Sequence, residues 1–170
     1  AAPGAELDEL ALEADKNAPV LQDQQVQKHP SYRKLEEVAF GKYGLAAMSH
    51  RGGVLGWPEP LPPAAKYVQA EFGVCCPLSM TDALTRTIRK YADPALVARY
   101  LPGLTSQDMD TLTQGAMFMT EQQAGSDVGG VKTIARKEGN EWRLPGDKWF
   151  CSTADAGLAL VLARPEGAPP

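Results

Sequence analysis

One segment in the last third of the chain changes from apolar to polar within a few residues. An apolar run ends in Met117, Phe118 and Met119, and the chain continues as TEQQAGSDVGG. Threonine and serine supply hydroxyl groups, and a glycine lets a ligand approach the backbone closely. These residue types favour a loop that binds an anion or a heterocycle through backbone and hydroxyl groups. They are also common in ordinary connections between strands, so composition alone leaves both interpretations open.

The residues of this loop differ in what they offer a ligand. Thr120 has an N–H and a hydroxyl for the edge of a ring, and Gly125 admits close approach. Ser126 offers a hydroxyl to a phosphate, while Asp127 can hold the loop through an Asx-type hydrogen bond. Glu121 is compatible with a place in the ligand site or with a surface ion pair. We expect the loop to bind rather than to catalyse.

The elements that position this loop follow from a change in hydrophobic period along the chain. Residues 1–113 carry apolar positions every three or four residues, which is typical of helices, and from Gln114 the period is two. Helices followed by strands predict an α+β fold, with an N-terminal helical domain at 1–113 and the start of a β domain at 114–170. The run LALVLA, residues 158–163, suits a strand covered on both faces. Because such a strand needs further partners, we expect the chain to be the front part of a longer protein.

Capping and breaking residues set the expected helix ends. The expected starts are the acidic segment near Leu7, Pro30-Ser31, Ala64 and Asp93-Pro94. Ser31 and Asp93 are the expected caps. The second helix is expected to end near His50, before the loop RGGVLGWPEPLPP, and Pro77 to bend or break the third. The expected buried stripe of the second helix comprises Leu35, Val38 and Ala39.

A second motif, KWFCST at residues 148–153, lies beyond one predicted hairpin whose turn is at 138–141. We expect the motif to form a strand. A three-stranded meander would then return Trp149 to a position beside Thr120. Trp149 is expected to be buried, as it would be in almost any barrel.

The composition of the whole chain limits the class of protein. The 170 residues carry a net charge of −4 and are 44% hydrophobic, a length that suits one domain better than two. No apolar run approaches the ~20 residues of a membrane-spanning helix, and the first residues lack the features of a secretory signal. The three cysteines have no metal-ligand spacing. We expect a soluble cytoplasmic protein without a metal site or a disulfide framework.

Taken together, the two motifs resemble a known flavin-binding signature. The pattern TE..AGSD followed by KW(I/F).(S/T), here at 117–127 and 148–152, is similar to that of the acyl-CoA dehydrogenase family. HPSY at 29–32, CPLSMT at 76–81 and TEQQAGSDV without a proline after the acid resemble the AidB-like branch. The resemblance covers most of the chain, from residue 29 to residue 163.

The resemblance implies a fold, a cofactor and an assembly. Family members have an N-terminal helical domain, a middle β-barrel and a C-terminal four-helix bundle that builds a homotetramer, and this chain would contain the first and the beginning of the second. FAD would lie with its ring between barrel and bundle. The implied cofactor-binding residues are Met117, Phe118, Met119, Thr120, Glu121, Gly125, Ser126, Trp149, Phe150, Cys151 and Ser152.

The family pattern also implies a role for several of these residues. Met119 and Thr120 would meet the pyrimidine edge of the flavin, and Ser126 would meet the pyrophosphate and the thioester side of the acyl-CoA substrate. The residues expected to line the ring are Trp149, Phe150, Cys151 and Ser152, the last three near N5. No catalytic residue is expected here, because the family's base is a glutamate of the C-terminal bundle.

Two function classes follow from the resemblance. One is an FAD-dependent oxidoreductase that dehydrogenates an acyl-CoA thioester across its α and β carbons, with hydride transfer to flavin N5. The alternative is a DNA-associated alkylation-response flavoprotein with little dehydrogenase activity. The net charge of −4 and the scattered basic residues, apart from RTIRKY at 86–91, give DNA binding no support. A non-catalytic interaction module is a third class. Gly52-Gly53-Val54 and Cys75-Cys76 would either border the acyl pocket or pack in the core.

Overall fold

The computed structural model describes residues 26–50 and 72–169. The expected first helix, the loop after His50, the tripeptide Gly52-Gly53-Val54 and the expected helix start at Ala64 all lie outside these residues. Within them, helical elements occupy the chain up to Leu104 and strands follow from Gly115. The predicted order of helices before strands is confirmed, and the division into domains after residue 113 stays a prediction. No helix in the described ranges is both long and apolar enough to cross a membrane.

The first described helix, α1, spans Pro30–Glu36. Its cap is His29, whose Nδ1 accepts a hydrogen bond from the N–H of Ser31 at 3.2 Å. The expected cap at Ser31 is therefore wrong. Because Pro30 has no N–H to satisfy and its fixed φ suits the first helical position, the helix begins at the proline and the cap lies before it.

The chain after α1 does not continue as one helix to His50. A π-helical segment, Glu37–Lys42, follows α1 directly. Gly44 then adopts a left-handed φ of 58°, which glycine reaches without steric cost, and the short helix α2, Leu45–Met48, starts behind it. The predicted single helix is thus three consecutive pieces.

These pieces contribute residues to the hydrophobic core of the helical part. The buried members of this core are Ala39, Phe40, Leu45, Ala46, Val74 and Leu78. Leu35 and Val38 pack against it, so the predicted buried stripe is confirmed. Cys75 also packs against this core, whereas Cys76 is exposed.

Two longer helices complete the helical part. Helix α3 spans Cys75–Tyr91, and Pro77 does not break it because the proline lies in the first turn, where N–H groups have no helical acceptor. Helix α4 spans Pro94–Leu104, and the Asp93 carboxylate accepts a hydrogen bond from the N–H of Ala95 at 2.8 Å. The predicted cap at Asp93 is confirmed.

A buried histidine joins α2 to α3. The side chain of His50 is 1% exposed, and its Nε2 lies 2.9 Å from Asp82 Oδ1. Its Nδ1 lies 3.1 Å from Nη1 of Arg89, which can only donate, so Nδ1 is the acceptor and the ring is neutral. Burial lowers the pKa of His50, and the charges of Arg86 and Arg89 add to this against the opposing effect of Asp82.

This histidine is expected to make the protein less stable in mildly acidic solution. Because the folded pKa lies below the unfolded value of ~6.5, the unfolded chain binds a proton first, and the free energy of unfolding falls as pH drops through ~6.5. Urea unfolding at a series of pH values should show this loss in the wild type and a smaller one in His50→Gln. The same pH dependence in both proteins would contradict the assignment.

The strands form two small sheets. Strand β1, Gly115–Phe118, pairs in parallel with β4, Leu158–Val161. Strand β2, Ile134–Glu138, pairs antiparallel with β3, Glu141–Arg143, and in parallel with the short β5, Arg164–Pro165. The predicted hairpin is confirmed. The predicted meander is wrong, because β1 takes β4 as its neighbour rather than the strand that follows it.

The run LALVLA forms a strand over four of its residues, as β4. Leu158 lies opposite Gly115, and Val161 opposite Phe118. Ala159 is exposed and the other strand residues are half-buried. The strand is confirmed, but its expected burial on both faces is wrong for the part of the chain that the structure describes, where β4 has one strand neighbour.

Gly115 fixes the distance between β1 and α3. Its N–H donates to Oγ1 of Thr81 at 3.0 Å, and a Cβ at this position would stand 3.1 Å from Thr81 Cα and 3.2 Å from Leu84 Cβ. Gly115→Ala is therefore expected to lower the free energy of unfolding by about 1 to 3 kcal/mol, the usual cost of overpacking.

Urea unfolding of Gly115→Ala and Gly139→Ala would check this contact. Gly139, at φ 62° in the hairpin turn, has no atom within 4 Å of its Cβ position, so its replacement reports conformational strain without overpacking. An alanine at 115 that leaves the unfolding midpoint unchanged would mean that β1 and α3 are not packed this tightly.

Candidate functional site

The two motifs lie side by side. The N–H of Trp149 donates to the carbonyl oxygen of Thr120 at 2.8 Å. The expected proximity of these residues is confirmed, although the meander that was to produce it is absent. The parallel pairing of β1 with β4 supplies another route, because it anchors the segment before β4 beside the end of β1.

The acid of the first motif lies inside the β part rather than at its surface. Glu121 is 2% exposed. Its Oε1 accepts hydrogen bonds from Lys148 Nζ at 2.8 Å and from the N–H and hydroxyl of Thr133 at 2.9 and 2.6 Å. Its Oε2 accepts from the N–H of Lys132 at 2.6 Å and from Nε2 of Gln123 at 3.0 Å. A carboxylate with five donors stays ionised.

The electrostatics of Glu121 follow from these contacts. Burial by itself would raise the pKa of the carboxyl, but the hydrogen bonds from Lys148, Thr133 and Lys132 outweigh it and lower the pKa to about 2. The ion pair with Lys148 is buried on both sides, so the alternative of a surface ion pair is wrong. The ion pair and the hydrogen bonds of Glu121 therefore join three segments of the chain.

The rest of the loop leaves polar groups available. Within residues 26–50 and 72–169, neither the N–H nor the hydroxyl of Thr120 has a hydrogen-bond partner. Gly125 has open space on its Cβ side, and Ser126 is exposed. The backbone N–H groups of Glu121 and Ala124 each bond the other residue's carbonyl, at 3.0 and 3.1 Å, which closes the turn before Gly125.

Asp127 does not hold the loop in the expected way. Its side chain makes no capping hydrogen bond to the 3₁₀ turn Val128–Gly130 that follows it. The backbone holds the turn instead, since the N–H of Gly130 donates to the carbonyl of Asp127 at 3.1 Å. The predicted Asx-type bond is wrong.

The second motif presents aromatic rings to the surface. Trp149 is 49% exposed and Phe150 is 79% exposed, with ring centroids 5.8 Å apart at an interplanar angle of 81°. The expected burial of Trp149 is therefore wrong within the described chain. Met119, at the end of the first motif, is 41% exposed. Exposed rings beside unused polar groups are typical of a surface that meets a ligand.

The backbone of the second motif is not a strand, contrary to expectation. Phe150 has φ 57° and Thr153 has φ 55°, values that non-glycine residues seldom adopt and that no strand contains. Cys151 is half-buried between them, and the N–H of the exposed Ser152 donates to the carbonyl of Phe150 at 3.1 Å. Such backbone strain clusters at functional sites.

The two strand residues of the first motif are more enclosed. Met117 and Phe118 are half-buried in β1, and the carbonyl of Phe118 accepts from the N–H of Leu162 at 3.0 Å. Sequence reasoning assigned no role to Lys148 or Thr133, which together hold Glu121. The lysine that directly precedes Trp149 was the one available signal, because a buried acid needs a cation nearby.

Two of the basic side chains of the run at 86–91 in α3 contact other residues of the helical part. Nε of Arg86 lies 2.8 Å from Asp82 Oδ2, and Arg89 contacts both the ring and the carbonyl of His50. Lys90 is exposed beside the ring of Tyr91. These contacts use two of the three basic side chains internally, which leaves no support for a nucleic-acid surface here.

Both parts of the chain match known family models. Residues 1–111 match the model of the adaptive response protein AidB N-terminal domain. Residues 116–170 match the model of the acyl-CoA dehydrogenase middle domain.

Two curated relatives have acyl-CoA dehydrogenase in their names. The chain is 38% identical over 96 residues to acyl-CoA dehydrogenase family member 11 of Caenorhabditis elegans, a match that covers 54% of this chain and 16% of the relative. It is 38% identical over 114 residues to the putative acyl-CoA dehydrogenase AidB of Escherichia coli strain K12, covering 59% of this chain and 20% of the relative. The matched regions thus span one fifth or less of these relatives.

Solved structures share the fold. Bd2924 in its apo form superposes with a TM-score of 0.71 at 34% identity, covering 86% of this chain and 30% of that one. Caenorhabditis elegans ACDH-11 in complex with C11-CoA superposes with a TM-score of 0.68 at 26% identity, covering 95% and 30%. With the AidB model matching residues 1–111 and the middle-domain model matching the rest from residue 116, the chain belongs to the acyl-CoA dehydrogenase family, in its AidB-like branch.

Proposed function

We propose that this chain supplies one wall of an FAD site in an oxidoreductase that dehydrogenates acyl-CoA thioesters. The observation that carries the proposal is the 2.8 Å hydrogen bond from the Trp149 N–H to the Thr120 carbonyl. This bond joins the two halves of the family signature. It leaves the exposed rings of one half next to the unused hydrogen-bonding groups of the other.

The described residues fit FAD in three respects. The N–H and hydroxyl of Thr120, which have no hydrogen-bond partner in the ranges 26–50 and 72–169, suit the polar edge of the flavin. The open side of Gly125 and the exposed Ser126 suit a pyrophosphate, which backbone and hydroxyl donors can hold. Exposed Trp149 and Phe150 supply flat apolar area for the ring system.

Each proposed residue then has a part in the site. Met119 and Thr120 meet the pyrimidine edge, and Ser126 meets the pyrophosphate and the thioester side of the substrate. Met117 and Phe118 support this edge from β1, and Gly125 gives the backbone access. Glu121 holds the loop from inside. The residues that line the ring are Trp149, Phe150, Cys151 and Ser152, the last three near N5.

FAD, when bound, supplies the acceptor for the hydride that leaves the β carbon of the thioester. The chain's own residues bind and orient, and their aromatic rings exclude water from the reacting face. The α proton needs a base elsewhere in the protein, since Glu121 has a pKa of about 2 and all its lone pairs face internal donors. We propose a glutamate of a C-terminal helical bundle, outside this chain.

The substrate class and the assembly rest on the family. ACDH-11 has been solved with C11-CoA, which supports an acyl-CoA as the substrate of this protein as well. We propose further that the strands described here begin a β-barrel, that the complete protein is a cytoplasmic homotetramer, and that the barrel and bundle enclose the flavin ring.

The test uses the natural protein that carries this chain. After removal of any bound flavin, it should take up FAD, turn yellow, and lose that colour when an acyl-CoA is added without oxygen. A protein that ignores FAD overturns the whole proposal. A protein that binds FAD but keeps its yellow colour with every acyl-CoA tested overturns the proposed reaction. Salt-sensitive binding of duplex DNA by that protein would then favour the alkylation-response class.

A further inference from the structure

We propose that Lys148 is a positioning residue of this site, which holds Trp149 and Phe150 in place by fastening their segment to the end of the first motif. The inference rests on the proposed function, since the surface that Lys148 arranges is taken to be the flavin face. It assigns to the lysine a role of its own, without contact to cofactor or substrate.

Three consecutive contacts join the two motifs. The ammonium of Lys148 donates to the carbonyl of Met119 at 3.1 Å and to Oε1 of Glu121 at 2.8 Å. Between these two acceptors, the carbonyl of Thr120 accepts from the N–H of Trp149. Residues 148 and 149 are thereby fastened to 119, 120 and 121 in order.

In the part of the chain that the structure describes, few other contacts hold residues 148–150. Trp149 and Phe150 are exposed and belong to no strand, and the φ of 57° at Phe150 opposes regular pairing. The side chain of Lys148, in contrast, is 8% exposed, and the Glu121 side chain it meets is 1% exposed. The buried end of this segment therefore fixes the direction of its exposed rings.

Removal of the Lys148 ammonium would leave the charge of Glu121 buried without a counter-ion. A buried carboxylate that loses its cation is left uncompensated, which costs more than the pair itself contributes. Glu121 cannot turn outward to water, because Thr133 and Lys132 hold both its oxygens. Loss of the ammonium should therefore change the 148–150 segment and the loop after β1 more than helix α4, which lies in the helical part.

The test compares Lys148→Met with Arg136→Met in the natural protein. Arg136 forms an ion pair of the same 2.8 Å length with Glu166, but at the surface and away from the two motifs. Without FAD, residue-resolved hydrogen exchange of the Trp149 amide should speed up at least tenfold in Lys148→Met and stay unchanged in Arg136→Met. With FAD, the dissociation constant should rise about tenfold in the first alone, and Lys148→Arg, which keeps the charge, should recover most of both effects.

The outcomes separate this inference from the proposed function. If the wild type takes up no FAD, the proposed function fails. Hydrogen exchange at the Trp149 amide of the FAD-free proteins still tests whether Lys148 positions this segment. An unchanged Trp149 amide in Lys148→Met overturns the role, and so does equal acceleration at the amides of α4, which would mean general destabilisation. If Lys148→Met does not fold, Lys148→Gln, which keeps a donor, is read by the same two criteria.

Discussion

Glu121→Gln is expected to lower the free energy of unfolding by about 3 to 5 kcal/mol, the usual cost of breaking a buried ion pair from one side. The amide would place an NH₂ group where the carboxylate now accepts from donors such as the N–H of Lys132 and the N–H of Thr133. It would also leave the ammonium of Lys148 buried without a counter-charge. Urea unfolding at neutral pH measures the loss.

The matched control is Glu166→Gln. Glu166 pairs with Arg136 at 2.8 Å but is exposed, so its replacement should change stability by less than about 1 kcal/mol. Acid provides a second check. Because the pKa of Glu121 falls from 4.5 to about 2 on folding, its stabilisation is present above pH 4.5 and is lost as pH falls toward 2. The difference between wild type and Glu121→Gln should narrow over that window, and a difference that stays constant would refute the assignment.

Phe150→Gly is expected to weaken FAD binding about tenfold or more while the FAD-free protein keeps its stability. Removing a ring that is 79% exposed costs the fold little, but a tenfold change in affinity needs only ~1.4 kcal/mol of lost ring contact. Glycine also accepts the φ of 57°, so relief of strain offsets the extra entropy of the unfolded chain, each ~1 kcal/mol. Flavin fluorescence titration and thermal unfolding give the two quantities.

Thr153→Gly is the matched control for that substitution. Thr153 has nearly the same backbone conformation, at φ 55°, but presents no ring. It should show the same small change in stability and keep FAD affinity within about threefold, a difference of ~0.6 kcal/mol. Equal weakening of FAD binding by both glycines would mean that the backbone, and not the ring, meets the cofactor.

Local patterns predicted the parts of this fold that depend on neighbouring residues. Asp93 caps α4 because Pro94, which follows it, suits the first position of a helix. The hairpin at 138–141 follows from a two-residue turn in which Gly139 has a φ of 62°. The loop after β1 was recognised by its hydroxyl and glycine residues. In each case the physical cause lies within a few positions of the effect.

Three of the wrong predictions concern contacts between residues that are far apart in the chain. The β1–β4 pairing joins segments that the sequence separates by a hairpin and the second motif, and no period reveals it. The left-handed φ of Phe150 is opposed by its own residue type, and the hydrogen bonds on either side of it, from the Trp149 N–H to Thr120 and from the Ser152 N–H to Phe150, are not visible in the sequence. Glu121 shows the same limit, since the sequence cannot tell a buried acid from an exposed one until Lys148 and Thr133 are brought to it.

The most direct test of the central claim is hydrogen exchange of the natural protein with and without FAD. If residues 117–126 and 148–152 form a wall of the flavin site, FAD should slow exchange at the amides of Thr120 and Ser126 and around Phe150. The hairpin turn at 138–141, which is exposed and away from both motifs, should not change. FAD binding that protects neither motif would contradict the claim and place the cofactor elsewhere.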